Sequence, residues 1–369
     1  MTDLPAPSQI VVQLAGDGEA EPFDPLTPVG ERPFLAYLLW HARRFGFGRV
    51  LLLAAERSER LMAFAADKQW TYDLTVEIAS DARPFGSGGR LRNVINRLDR
   101  SVLWMRGDTV FDFNWLDLHA LSREHPVSDV AVALPQRSGP GAVCLIRRNI
   151  VSTFSEQSSI ERDLLPTYAN DGRYVSRVQS GFFLDIGAPG ALEAAQTRLP
   201  ASLTRGAVFF DRDGVINVNH GYVHRWDQFD WIEGAAAAIK TVNDRNLFAF
   251  LVTNQSGVAR GYYDEAAVDD LHARLRSALR DQGAHLDDIR YCPHLPDATI
   301  TRYASVCDCR KPAPGMILDL AAQWPVDMSQ SRLIGDSASD IQAATAAGLP
   351  GTFYKGGDLN QLVRGLVDE

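Results

Sequence analysis

The sequence predicts an α/β protein of two doubly wound domains, and three observations predict it. Short apolar runs alternate with amphipathic helical patterns along the chain. In the second half, three of these runs end in polar clusters: Asp211-Arg212-Asp213-Gly214, Thr253-Asn254-Gln255-Ser256 and Gly335-Asp336-Ser337-Ala338-Ser339-Asp340. The pattern also starts afresh near residue 200, where 197–205 carries Pro200 between two strand-like runs. The domains are read as 1–199 and 206–369, joined by a linker at 200–205.

In the first domain the runs at 9–14, 50–54, 102–105 and 130–134 read as strands, with a helix at 33–45. In the second, 207–210, 248–252 and 333–334 are wholly apolar, the pattern of strands buried on both faces of a parallel sheet. Asp264 can cap a helix whose apolar face is Val268, Leu271, Leu275 and Leu279 and which ends at Gly283. In an open α/β sheet, ligands bind just beyond the carboxyl ends of the strands. The three clusters would meet there, at a place able to hold a divalent cation and a phosphate.

At 369 residues the chain is long enough for two domains with cores of their own, and 46% apolar with 22% charged residues is ordinary for a soluble globular protein. A net charge of −9 and a pI near 5.4 argue against nucleic acid or an acidic membrane as a partner. A small anionic substrate stays open, because a bound metal and a few cations set the field at a site. No apolar run reaches the ~20 residues of a bilayer span, and 1–9 lacks the apolar stretch of a secretory signal. The expectation is a cytoplasmic protein, with its oligomeric state open. Four cysteines are too few for a disulfide scaffold, and three of them fall between 292 and 309.

Phosphoryl transfer needs an in-line nucleophile, charge neutralisation and a proton for the leaving oxygen. Asp211 can form an aspartyl-phosphate, and Asp213 can act as acid and then base. Asp336 suits Mg2+, a hard cation, and Asp340 can assist the metal or orient Lys311. Thr253 and nearby N–H groups can hold phosphate oxygens, and Lys311 can place a point charge on the transferring group. Cys292, His294, Cys307 and Cys309 offer three thiolates and an imidazole, a set suited to structural Zn2+. The bland reading is three buried cysteines and a satisfied histidine. Their place directly before Arg310 and Lys311 assigns the loop the task of presenting both cations.

Strand-DxDG, strand-TNQS, RKP and GDxxxD in this order resemble the haloacid dehalogenase superfamily of phosphatases. Residues 217–224 (NVNHGYVH), 252–261 (VTNQSGVARG) and the CPH…CDCRKPxPGM loop are similar to the heptose 1,7-bisphosphate 7-phosphatase family, over about 207–348. That resemblance implies removal of the 7-phosphate of D-glycero-D-manno-heptose 1,7-bisphosphate, in nucleotide-activated heptose biosynthesis toward a surface polysaccharide. It implies Asp211 as nucleophile and Asp213 as acid/base, with Thr253 and Lys311 catalytic. Mg2+ would be held by Asp211, the Asp213 carbonyl and Asp336, with Asp340 beside them, and Zn2+ by the Cys/His set. Substrate contacts would come from Asn217, His220, Asn254, Gln255, Arg260, Arg310 and Lys311. Histidinol-phosphate phosphatase is the alternative, and the 217–224 stretch favours the heptose enzyme. Val215 replaces the usual Thr, and Ser337 stands where a cation is common. His224 reads as substrate-lining or structural, and Trp226 and Trp231 as packing.

The first domain resembles the sugar-1-phosphate nucleotidyltransferases, of the heptose 1-phosphate guanylyltransferase type, over 10–196. The resemblance rests on PFLAYLL (33–39), GSGG (86–89), RGDT (106–109) and FLDIGAP (183–189). It implies a Mg2+ site at Asp108 and Asp185, with GSGG close to base or ribose. Against it, 16–22 is acidic where a glycine-rich basic loop belongs, Asp24-Pro25 replaces Lys-Pro, and 136–144 lacks the sugar-binding elements. Like charges there oppose a triphosphate. The expectation is a retained fold without turnover, a binding or assembly module. A bifunctional phosphatase and guanylyltransferase is the alternative, and it needs cations from elsewhere, such as Arg90 or Arg92.

Overall fold

The computed structural model describes residues 5–14, 23–56, 58–72, 74–81, 83, 85–136, 143–188 and 190–368. The acidic 16–22 loop lies outside the described residues, as does most of 136–142. The chain divides into two compact units, Met1–Ser202 and Leu203–Glu369. No helix among the described residues is long and apolar enough to cross a membrane.

Unit 1 begins with β1 (Gln9–Gln13) and a short hairpin of β2 (Pro28–Val29) and β3 (Arg32–Pro33). The helix Phe34–Arg44 follows, with Pro33 at its N-cap and His41, Arg43 and Arg44 in its last turn, where cations favour the dipole. Then come β4 (Arg49–Ala54), β5 (Thr75–Ser80), β6 (Ser101–Arg106), β7 (Thr109–Asp112), β8 (Val130–Pro135), β9 (Val143–Arg147), β10 (Tyr174–Gln179) and β11 (Phe182–Asp185). Seven of these form one sheet in the order β10-β8-β9-β6-β1-β4-β5. The sheet is mixed, because β9 runs antiparallel to both neighbours. The connection from Pro135 to Val143 is too short for a parallel crossover, which takes about a dozen residues. The separate β7–β11 pair sets Asp185 opposite Thr109.

The boundary between the two units falls within the expected linker at 200–205, whose two ends each join a unit. The helix Ala191–Ser202 runs through Pro200, and Gln196 ties it to unit 1 by accepting from Gly30 N at 2.9 Å and donating to the Pro28 carbonyl at 3.1 Å. Proline in a helix sacrifices one backbone bond, which this tertiary anchoring offsets. Arg205 already belongs to unit 2, where it bridges to Val326.

Unit 2 holds β12 (Ala207–Phe210), β13 (Phe248–Asn254), β14 (Asp288–Cys292), β15 (Arg332–Gly335) and β16 (Gly351–Phe353) in an all-parallel sheet ordered β14-β13-β12-β15-β16. The chain builds outward from β12 through β13 to β14, then returns to the far side of β12 as β15. That reversal opens a crevice beyond the tips of β12 and β15, where ligands of such sheets bind. Phe210, Leu251, Ile334, Ile239 and Leu275 are buried in one core cluster, and each large side chain taken from water contributes about 1.5–3 kcal/mol. The helix Glu265–Asp281 is capped by Asp264, which accepts from Ala267 N at 2.9 Å, and it buries the four predicted leucine and valine positions. Trp226 and Trp231 pack around Phe229 on this core, at ring distances of 5.0 and 5.1 Å.

Candidate active site and metal centre

The tips of β12, β13 and β15 deliver Asp211, Thr253 with Asn254, and Asp336 to one cleft of about 300 Å³. Lys311 enters from the loop after β14. Its Nζ donates to Asp211 Oδ1 at 2.6 Å and to the Val252 carbonyl at 2.9 Å, and it lies 2.6 Å from Asp340 Oδ1 as an ion pair without hydrogen-bond geometry. Asn254 fixes the stem of this lysine, since its side-chain amide exchanges two 3.1 Å bonds with the Lys311 backbone. Asp340 is fixed in turn by a capping box. Its Oδ2 accepts from Ser337 N at 3.0 Å and from Ser337 Oγ at 2.6 Å, closing the first turn of the helix Ala338–Ala346. Ser337 is thus spent on the helix cap.

Electrostatics follow from this burial. Burial pushes the Asp211 carboxyl up to about 6, against the pull of Lys311 and with help from Asp340. Burial works to lower Lys311, but Asp211 and then Asp340 outweigh it and hold the ammonium above its usual range. Asp336 is raised by burial and then by Asp340. Ligand oxygens of Asp211, Asp336 and Asp340 all fall within 4.8 Å of one another. Crowded carboxylates that desolvation and mutual repulsion disfavour are what a divalent cation relieves. Gly214 makes the crowding possible. It sits at φ +95°, and a Cβ there would lie 1.9 Å from Asp336 Oδ2.

Asp213 is held from behind. Arg212, fully buried, donates Nη2 to Asp213 Oδ2 at 2.8 Å, to the Val223 carbonyl at 2.6 Å and to Gln255 Oε1 at 3.2 Å. Asn217 Nδ2 donates to Asp213 Oδ1 and Gln255 Nε2 to Oδ2, both at 3.0 Å. Beneath Arg212, His272 Nε2 lies 3.3 Å from Nη1; burial and then Arg212 push this imidazole down to about 3, so it is neutral and accepts.

Of the sequence-predicted residues, Asp211, Asp213, Thr253, Asn254, Gln255, Lys311, Asp336 and Asp340 line the cleft. Asn217, His220, Arg260 and Arg310 do not. Asn217 is buried behind Asp213, His220 pairs with Asp230 at 2.7 Å, and Arg260 ends the helix Ser256–Arg260 exposed to solvent. Arg310 donates to the His294 carbonyl at 3.2 Å, so it braces the cysteine loop. Sequence reading missed Arg212, Asn219, Tyr222, Tyr263 and Ser339. Of these, all but Tyr263 lay inside motifs already singled out. His224 stacks on Tyr263 at 4.6 Å, a structural place.

The second cluster closes the 292–309 loop. Cys309 Sγ lies 3.1 Å from Cys292 Sγ and 3.2 Å from Cys307 Sγ, while His294 Nδ1 lies 3.4 Å from Cys309 Sγ and 3.7 Å from Cys292 Sγ. A tetrahedral ion with bonds of about 2.0–2.3 Å spans ligand edges of about 3.5–3.8 Å, so this donor set would suit zinc once the closest sulfurs open by roughly half an ångström.

Unit 1 also brings its two predicted carboxylates close, since Asp185 is raised by burial and then by Asp108. The cation among them is Arg106. Its Nε donates to Asp108 Oδ1 at 2.8 Å, Nη2 pairs with Oδ2, and Nη1 reaches Glu161 at 3.4 Å. The GSGG turn is closed on the protein itself. Gly86 N and Gly88 N donate to the carbonyls of Glu156 (3.0 Å) and Ser158 (2.9 Å), and a Cβ at Gly89 would lie 2.0 Å from the Glu156 carbonyl oxygen. The expectation that these glycines leave room for a base or ribose is therefore corrected: residues 156–158 fill that room. Arg90 and Arg92 donate to backbone carbonyls of Asp81 (2.7 Å) and Phe154 (3.0 Å). Asp24 accepts from Leu26 N at 2.9 Å and pairs with Arg60.

A family model described as HAD-hyrolase-like matches residues 308–362. The D-glycero-beta-D-manno-heptose-1,7-bisphosphate 7-phosphatase of Rhodopseudomonas palustris is 50% identical over 165 residues, 45% of this chain and 92% of that protein. Among solved structures, the D,D-heptose 1.7-bisphosphate phosphatase from B. bronchiseptica complexed with magnesium and phosphate is 34% identical, covering 43% of this chain and 86% of that one, at a TM-score of 0.38. HddC from Yersinia pseudotuberculosis is 17% identical, covering 52% and 99%, at a TM-score of 0.44. With half of the 165 aligned residues identical across nearly the whole of a curated phosphatase, the chain belongs to the D-glycero-beta-D-manno-heptose-1,7-bisphosphate 7-phosphatase family and is a phosphoric monoester hydrolase of the haloacid dehalogenase type.

Proposed function

We propose that unit 2 removes the 7-phosphate of D-glycero-D-manno-heptose 1,7-bisphosphate, leaving the 1-phosphate for nucleotide activation. The observation that carries this reading is the Asp211–Lys311–Asp340 arrangement beside Asp336 at the strand tips, in a chain that is 50% identical over 165 residues to a phosphatase of that name. Asp211 attacks phosphorus as the bond to O7 breaks. Asp213, gripped by Arg212, Asn217 and Gln255, gives its proton to the departing oxygen and then takes one from the water that hydrolyses the aspartyl-phosphate. Lys311 and Thr253 hold the transferring oxygens.

Asp211, the Asp213 carbonyl and Asp336 would hold Mg2+, with Asp340 in reach, and that ion would supply charge neutralisation for the phosphoryl group. Cys292, His294, Cys307 and Cys309 would hold Zn2+, which would fix the loop that ends in Lys311. A thiolate set of this kind needs reduced cysteines, which supports a cytoplasmic setting.

Unit 1 is a nucleotidyltransferase-like module without turnover. Arg106 on Asp108, the internally bonded GSGG turn, and the engagement of Arg90 and Arg92 with carbonyls support this over the bifunctional reading. A 31P NMR time course with Mg2+, the heptose bisphosphate and GTP tests both statements. The expected result is loss of the 7-phosphate signal with the 1-phosphate and GTP unchanged. A new sugar diphosphate signal would overturn the reading of unit 1, and an unchanged spectrum would overturn that of unit 2 and turn attention to histidinol phosphate.

A further inference from the structure

The proton donor of the site is itself oriented by a chain of hydrogen bonds that begins at a tyrosine on the cleft wall. Gln255 is buried, and its amide uses all four of its bonding positions. Nε2 donates to Asp213 Oδ2 at 3.0 Å and to Thr253 Oγ1 at 2.9 Å. Oε1 accepts from Tyr263 Oη at 2.9 Å and from Arg212 Nη2 at 3.2 Å. An amide flip would set its N–H groups against these donors and its oxygen against Asp213, so the two donors on Oε1 fix which end faces the carboxylate.

Tyr263 is built for this place. Gly257 has no Cβ, and one there would lie 2.2 Å from the Tyr263 ring, so the ring rests directly on backbone. His224 stacks on the ring at 4.6 Å with 11° between planes. The hydroxyl is thereby aimed at Gln255 from the wall of the cleft.

We infer that Tyr263 is a positioning residue for leaving-group protonation: through Gln255 it holds the Asp213 carboxyl where its proton passes to the departing alkoxide oxygen as the P–O bond breaks and the Asp211–P bond forms. The inference rests on the proposed role of Asp213 as the acid.

The test compares two leaving groups. A sugar alkoxide must be protonated as it leaves, whereas 4-nitrophenolate leaves without a proton. kcat/KM reports only the steps through bond cleavage, so hydrolysis of the aspartyl-phosphate does not blur it. Tyr263→Phe keeps the ring stack and loses only the donor. It is expected to lower kcat/KM for the heptose bisphosphate about 10-fold, with 4-nitrophenyl phosphate changed by less than about 2-fold. Gly257→Ala, which pushes the ring away, is expected to give the same selective loss. An equal loss on both substrates, the mark of a merely structural role, would overturn the inference, as would no loss on either. Asp213→Asn separates the two readings. It is expected to show a larger loss with the same selectivity. If it does while Tyr263→Phe does not, the positioning role alone fails; if Asp213→Asn is itself unselective, the assignment of Asp213 as the acid fails and the inference falls with it.

Discussion

Both units gather carboxylates near strand ends and set one basic side chain among them, yet the two arrangements differ in what they leave free. In unit 2, Lys311 is a compact ammonium that touches one oxygen each of Asp211 and Asp340 and leaves Asp336 to the cleft. In unit 1, the planar guanidinium of Arg106 takes both oxygens of Asp108 and reaches Glu161 as well. A forked cation satisfies a carboxylate, whereas a point charge balances part of a cluster and leaves lone pairs for a metal and a phosphate. Among the described residues Asp211, Asp336 and Asp340 form a group of three able to hold an ion, whereas Asp108 and Asp185 belong to no such group of three or more. Acids at a strand tip therefore do not identify an active site until the geometry of their counter-charge is known.

The largest effect that tests this contrast comes from matched substitutions. Asp211→Asn is expected to reduce phosphate release from the heptose bisphosphate at least ~1,000-fold with the fold retained, because it removes the proposed nucleophile and almost no volume. Asp108→Asn is expected to leave the rate within about 2-fold. Comparable losses in the two variants would abolish the distinction. Next in size is the loop that carries Lys311. Cys307→Ser is expected to release zinc, measured by a chromophoric chelator, to lower the melting temperature by about 5 °C or more, and to reduce turnover with it. Turnover at the wild-type rate in a zinc-free variant would detach the loop from the site. A subtler readout is metal stoichiometry by Mn2+ electron paramagnetic resonance, since Mn2+ prefers oxygen ligands to thiolates. One ion per chain is expected, lost in Asp336→Asn and kept in Asp108→Asn; two ions would mean that Arg106 does not close unit 1.

The same contrast explains what was legible beforehand. Asp211, Thr253 and Asp336 stand directly after apolar runs, and a parallel sheet sends such tips to one edge, so linear order sufficed to bring them together. The Cys292–Cys309 spacing carried its chemistry in composition alone. Side chains that work by reach were harder to read. Arg310 and Arg260 are cations in the right segments, but their directions depend on the cysteine loop and on the left-handed turn at Gly261 (φ +75°). The same turn brings Tyr263 back to Gln255, and no periodicity encodes that return. Ser337 and Asp340 spell a capping box, so the serine that stands where a cation is common serves the helix cap. The GSGG glycines announced a close approach without naming the neighbour, and residues 156–158 took the space.

The smallest expected effect concerns what lies behind each cation. Arg106 is faced by the carboxylates of Asp108, Glu161 and Asp185, whereas Arg212, which grips Asp213, rests on neutral His272. Protonating His272 in the folded state would place a second positive charge against Arg212 in a buried site, and its pKa is accordingly pushed down to about 3 by burial and then by Arg212. The unfolded chain protonates near the ordinary value of about 6.5. Between these values the unfolded state binds the extra proton, so stability is complete above about pH 6.5 and is lost as pH falls toward 3. At about 1.4 kcal/mol per unit, roughly 2 kcal/mol is gone by pH 5. His272→Gln keeps an acceptor for Arg212 and cannot titrate, so its stability is expected to vary less between pH 7 and pH 5 than that of the wild type. Chemical denaturation of both proteins at the two pH values measures the difference. Parallel losses would place the acid sensitivity elsewhere, and remove the neutral histidine from the contrast between the two arginines.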